Sequence, residues 1–452
     1  MKTWNLASLV AEDRSTLLHP LYHPMDHATP HVWVKGQGAV LTDADGREYI
    51  DGLSCLWNVN VGHGRRELAE AAAEQMATLA YSTNYVGSSN VPAIKLAARL
   101  KEIAYPNLVA TYFASGGAEA DESAFKTARF YWKAKGRPDK VKVISRQHGY
   151  HGLTMATMSA TAVAGYTKMF EPRVPNFIHT ATAYPYRQEG MKPGETVGQA
   201  AARQLEETIL QEGPDTVAAF IAEPVQGAGG VIVPPDDYFP LVRQICTKHD
   251  VLFIADEVIT GFCRTGDWFA LKRWGVQPVI LSFAKGITSG YLPLGGIMVS
   301  QPILDAMLSV PYGDRWMHAY TYSGHATCCA VGLRNLEIME KEGLAERATK
   351  MGSRLLAGMK TLLDFKAVGE VRGLGMLVGV ELVADRTTKA AFDPALKVVG
   401  RIRLELEKRG VFTRAMRDIL AFAPPLVITE AQVDQLVDAM RGALQAVVPE
   451  KA

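Results

Sequence analysis

Three short apolar runs, each closed by ionisable residues, organise the middle of this chain. Residues 217–222 run apolar into Glu223, residues 251–255 into Asp256 and Glu257, and residues 279–283 into Lys285. Runs this short and this apolar predict strands buried on both faces, as in a parallel sheet covered by helices. Neighbouring runs lie roughly 30 residues apart, the length of one strand–crossover–strand unit. Their charged ends should therefore meet along one rim, the carboxyl edge at which open α/β sheets place their ligands. Residues 111–114 and 141–144 read as further strands, and a helix should run from Ser115–Glu119 to about Ala134. Nearer the start, residues 32–35, 39–42 and 48–50 look like short strands, followed by a helix over residues 66–81. The alternation of strands and helices from about Glu67 to Ala326 predicts a largely parallel sheet with helices on both faces. A helix over residues 330–342 leads away from it. Residues 371–382 and 420–428 look like strands of a smaller α+β unit, which a helix over residues 430–447 closes.

Composition narrows the classes. The chain has 452 residues, enough for two or three domains, and a formal net charge of +1. So balanced a charge makes no electrostatic case for nucleic acid or an anionic membrane. No run approaches the ~18 apolar residues of a membrane span, and the first residues lack an apolar signal core. The cysteines (Cys55, Cys246, Cys263, Cys328 and Cys329) are odd in number and scattered. They fit reduced thiols in a cytoplasm and not a disulfide framework.

The chemistry gathers at the strand ends. Lys285 stands where an apolar run gives way to Gly286, Gly290, Gly295 and Gly296. Burial there disfavours the ammonium and frees a nucleophilic amine, the setting in which lysine forms Schiff bases. A buried Asp256 needs a cation or hydrogen bonds, and a protonated pyridine nitrogen would serve. Ser115, Gly116, Gly117 and Ala118 form a strand–glycine–helix junction whose amides can approach an anion. In His148-Gly149-Tyr150-His151-Gly152, the glycines leave room for the Tyr150 ring to lie flat on a planar ligand. Metal binding by His148 and His151 is the rival reading of that segment. Two other glycine-rich segments, 227–230 and 373–375, are followed by a proline-bearing stretch and a strand-like stretch. A dinucleotide fingerprint needs a helix there, which argues against a nicotinamide oxidoreductase. A catalytically silent protein on the same fold is the remaining alternative.

Taken together, Ser115–Glu119, His148–Gly152, Glu223–Gly227, Asp256–Val258, Ala284–Gly286 and Thr321–His325 resemble the class III aminotransferases of the fold-type I pyridoxal-phosphate enzymes. The likeness is strongest to omega-amino acid and amine:pyruvate transaminases, and it runs from about Leu18 to Val447. It implies an α/β fold in which a large domain carries a mostly parallel sheet and both chain ends build a smaller α+β domain. The expected division is 1–66 and 327–452 for the small domain and 67–326 for the large one.

The resemblance also implies roles. Lys285 would bind pyridoxal 5′-phosphate and shuttle the proton, and Asp256 would pair with the ring nitrogen. Val258 and Tyr150 would lie on either side of the ring, Glu223 would line the site, and Ser115 to Ala118 would hold the phosphate. Ala118 departs from the Gly-Ser of many relatives and removes a hydroxyl donor; its own amide and Ser115 could compensate. Thr321 would reach the phosphate from a partner subunit, in a homodimer with shared active sites or a tetramer of such dimers. Arg414 would bind substrate carboxylates, with Arg417 as its competitor. Met25, Leu56, Trp57 and Tyr85 would shape the substrate pocket, although Trp57 also reads as ordinary core. The expected reaction is ping-pong amino transfer from an amine or omega-amino acid to a keto acid, pyruvate above all. Taurine, diamine, 4-aminobutyrate or biotin-precursor donors are the alternatives within the class.

Overall fold

The computed structural model describes residues 4–27 and 30–450. Near the start, β1 (Trp33–Gln37), β2 (Val40–Asp43) and β3 (Glu48–Asp51) form an antiparallel meander. The large sheet contains β4 (Leu108–Ala114), β5 (Lys142–Arg146), β6 (Phe177–Thr180), β7 (Val217–Ala222), β8 (Leu252–Asp256), β9 (Ile280–Phe283) and β10 (Gly295–Ser300). Its order is β4-β10-β9-β8-β7-β5-β6. The strands from β9 to β6 are parallel, and β7 and β8 are buried along their whole length, which explains their uninterrupted apolar sequence.

The glycine-rich stretch after Lys285 holds a strand that the hydrophobic pattern did not announce. Strand β10 inserts antiparallel between β4 and β9. A Cβ on Gly296 would lie 2.3 Å from the Tyr112 carbonyl oxygen, so this close approach requires glycine.

Towards the end, β11 (Val368–Leu374), β12 (Leu377–Leu382), β13 (Val411–Phe412), β14 (Arg414–Met416) and β15 (Ile419–Phe422) follow. The single apolar stretch 371–382 is a hairpin, turned at Gly375 (φ +54°) and Met376. The stretch 420–428 leaves the sheet after Phe422, where Pro424 and Pro425 have no N–H to offer a ladder. Strand β13 pairs parallel with β3, so the first and last parts of the chain share one sheet. Among the described residues no helix is long and apolar enough to cross a membrane.

Candidate active site

Strand ends β7, β8 and β9 meet at one cavity of about 400 Å³, within the range of small-ligand sites. Leu56, Gly117, Ala118, Tyr150, Glu223, Asp256, Val258 and Lys285 all line it, joined by Asp121 and Thr154, which no motif pointed to, and by His151, which the sequence offers only as a metal candidate. Lys285 takes φ +48°, a left-handed conformation that is uncommon for a side-chain-bearing residue and is held by the turn after β9. Burial pulls its ammonium below the usual lysine range, while the carboxylates of Asp256, Glu223 and Asp121 pull the other way.

Adjacent residues leave β8 in opposite directions, as strand geometry requires. Asp256 faces the cavity. Glu257 is buried elsewhere, accepting hydrogen bonds from the Tyr105 hydroxyl, from Thr260 Oγ1 at 2.8 Å and from the Ala270 amide at 2.7 Å. Asp256 Oδ2 receives His151 Nδ1 at 2.8 Å and Oδ1 receives the Val258 amide at 3.0 Å. Burial opposes its ionisation, but the His151 contact and these donors outweigh it and hold the carboxyl below its ordinary range.

Glu223 is tied by both oxygens, at 3.0 Å to the Tyr150 amide and at 3.0 Å to the Gly227 amide. It thereby fixes the loop that presents Tyr150. Burial still pushes its carboxyl up to about 7.

The helix Gly117–Ala134 opens on the cavity. No side chain caps it at Gly116, so the first-turn amides of Gly117 and Ala118 are orphan donors facing a ligand space. A Cβ on Gly117 would stand 2.8 Å from Val258 Cγ1, so glycine is needed for the helix start to come this close. Ser115 does not supply the missing donor through its backbone, because its amide is taken by Glu119 Oε2 at 2.8 Å. Neither Ser115 nor Gly116 lines the cavity.

Arg414 reaches towards the site through aromatic rings. Its Nη2 donates to the Tyr166 hydroxyl at 3.0 Å, and the Tyr166 ring meets Tyr150 edge-on at 5.4 Å. Arg417 is committed elsewhere, to His148 Nδ1 at 3.1 Å and the Gly229 carbonyl at 2.9 Å. His148 and His151 thus turn to different partners and do not converge on a shared point.

Other expected pocket residues stand apart within the single chain. Trp57 is buried in the hydrophobic core and does not line the cavity. Tyr85 lines a separate groove with Tyr112, Trp316 and His318. Met25 is 72 % exposed, and Thr321 is exposed with its carbonyl accepting from the Tyr81 hydroxyl at 2.8 Å.

The site therefore offers an amine, a buried carboxylate suited to a cationic ring nitrogen, orphan amides suited to a phosphate, and flat and aliphatic walls. These donors fit pyridoxal phosphate. Comparison with known proteins agrees. Residues 21–444 match the aminotransferase class-III family. The chain is 42 % identical over 442 residues to a diaminobutyrate–2-oxoglutarate transaminase of Halomonas elongata, covering 95 % of this chain and 94 % of that one. It is 38 % identical to a putrescine–pyruvate aminotransferase of Pseudomonas aeruginosa, over 94 % of this chain and 92 % of that one. The solved structure of an (S)-enantioselective omega-transaminase from Thermomicrobium roseum superposes with a TM-score of 0.95 at 47 % identity, covering 99 % and 100 % of the two chains. The chain belongs to the class III aminotransferases, and its chemistry depends on pyridoxal 5′-phosphate.

Proposed function

We propose that this aminotransferase moves an amino group from an amine or omega-amino acid to pyruvate, with Lys285 as the proton carrier. The convergence of Lys285, Asp256 and the Gly117–Ala118 amides on one cavity carries the reading. When bound, pyridoxal phosphate supplies a carbonyl that takes up the amino group and a conjugated ring that spreads the charge released at the substrate carbon. Asp256 would keep a proton on the ring nitrogen, so that this charge could be accepted. The Gly117 and Ala118 amides and the helix dipole would hold the phosphate, and Tyr150 and Val258 would confine the ring. Lys285, its ammonium form disfavoured, takes the proton from the substrate carbon as base and returns it as acid.

Arg414 is the carboxylate receptor in this reading. Its planar fork matches a carboxylate bidentately, and among the described residues its side chain donates to a hydroxyl and not to a carboxylate, which leaves its charge to the substrate. It turns towards carboxylates and away from apolar groups. The exposed Met25, Tyr85 and Thr321 complete the site in a homodimer, where each copy covers the apolar surface of the other. Five free thiols suit a reducing cytoplasm.

The likeness to the Halomonas elongata enzyme favours a second reading, a diamine-type donor with 2-oxoglutarate as acceptor. A panel of aryl amines, omega-amino acids and diamines, run with each keto acid and scored by alanine or glutamate formation, separates the two. Alanine as the dominant product supports pyruvate; glutamate overturns it.

A further inference from the structure

The roles above leave Asp121 unused. It lies one helical turn after Gly117, on the face of the helix that looks into the cavity. It is 1 % exposed, and its Oδ1 finds no hydrogen-bond donor. A carboxylate oxygen of Asp121, a ring nitrogen of His151 and a carboxylate oxygen of Asp256 all lie within 4.8 Å of one another. Two carboxylates buried side by side do not both stay ionised. Asp256 holds the better claim to the negative charge, because His151 and the Val258 amide both donate to it. Asp121 has no comparable set of donors, and burial and the charge of Asp256 push its carboxyl well above the ordinary range.

We propose that Asp121 is a positioning residue that stays protonated at neutral pH and donates its O–H to Asp256. The pair then carries one negative charge, matched to one proton on the cofactor ring nitrogen, and the Asp256 carboxylate gains a donor besides His151 and the Val258 amide. This rests on Asp256 being the partner of that nitrogen. The charged and titratable groups around Asp121 are Asp256 at the end of β8, Glu223 after β7, Lys285 after β9 and His151 after β5. Burial disfavours the ammonium form of Lys285, and the ring nitrogen of His151 is engaged by Asp256 at 2.8 Å.

The test uses Asp121→Asn, which keeps an N–H donor without a charge, and Asp121→Ala, which removes the donor. The full chain free of cofactor, examined by infrared difference spectroscopy at pH 8, should show a protonated-carboxyl C=O band in the wild type that Asp121→Asn lacks. The raised carboxyl gives its full stability below the unfolded value of 3.8 and loses it as pH rises towards the folded value. The stability of Asp121→Asn relative to wild type should therefore climb with pH above that point. With cofactor bound, Asp121→Asn should keep kcat within about 3-fold while Asp121→Ala loses about 10-fold or more. A missing band, a pH-independent stability difference, or equal losses in the two variants would overturn the proposal. Asp256→Asn separates the premise: normal turnover in that variant removes the ring-nitrogen role, whatever the infrared band shows.

Discussion

His151 Nδ1 and Asp256 Oδ2 stand 2.8 Å apart, both side chains almost fully buried. The histidine was noticed in the sequence only as a metal candidate, yet its partner is the carboxylate at the end of β8. With the Val258 amide it keeps Asp256 ionised in a place where burial alone would neutralise it. Replacing Asp256 by Asn removes the charge and keeps the shape. That variant should fold normally by circular dichroism and lose about 10²–10³ in kcat, the scale of one lost preorganised electrostatic contact. A loss below about 3-fold would contradict the role.

The contact between Gly117 and Val258 makes a second prediction. Gly117→Ala places a Cβ 2.8 Å from Val258 Cγ1 and pushes the helix start away from the ligand space. Overpacking of this kind costs about 1–3 kcal/mol, so the cofactor Kd should rise roughly 5- to 100-fold. Val258→Ala in the same chain should recover part of that loss. Equilibrium dialysis of the cofactor checks both, and an unrelieved double variant would show that the contact is not the cause.

Arg414→Ala should separate the two substrates. Loss of a charged hydrogen bond to a carboxylate is worth about 1.5–3 kcal/mol, which raises KM for pyruvate roughly 10- to 100-fold. KM for an aryl amine without a carboxylate should change by less than about 3-fold, since no such bond exists to lose. Equal shifts for both substrates would remove Arg414 from carboxylate binding.

Glu223 gives a pH signature. Its carboxyl is raised from 4.5 to about 7 by burial, so the protein has its full stability from this group below pH 4.5 and loses it as pH climbs through 7. In Glu223→Gln that loss is absent. The unfolding free energy of the variant, relative to wild type, should therefore rise by about 3 kcal/mol between pH 4.5 and pH 8 and then level off. Urea titrations of the cofactor-free chain across that range measure it; a flat difference would contradict the assignment.

Much of the frame could be read from residue order because its physics is local. The runs ending at Glu223, Asp256 and Lys285 are apolar throughout because both faces of β7, β8 and β9 are covered. Strand β10 escaped because its first two residues, Gly295 and Gly296, answer to the closeness of β4 and β9 and not to strand propensity. Asp121 belongs to no motif, and a polar residue on an amphipathic helix is ordinarily solvated. Its spacing of one turn from Gly117 was the available clue. Thr154 and His151 sit on irregular backbone, where no periodicity points a side chain anywhere. Met25, Tyr85 and Thr321 lie away from the Lys285 cavity, and the roles proposed for them would need a second copy of the chain.

If Lys285 holds the cofactor and moves the proton, borohydride reduction of the cofactor-loaded enzyme followed by peptide mass mapping should find it. The reduced cofactor's mass should appear on the peptide at Lys285, and Lys285→Ala should show no label there, no turnover and cofactor still bound noncovalently. A label on another lysine, or near-normal turnover in Lys285→Ala, would contradict it.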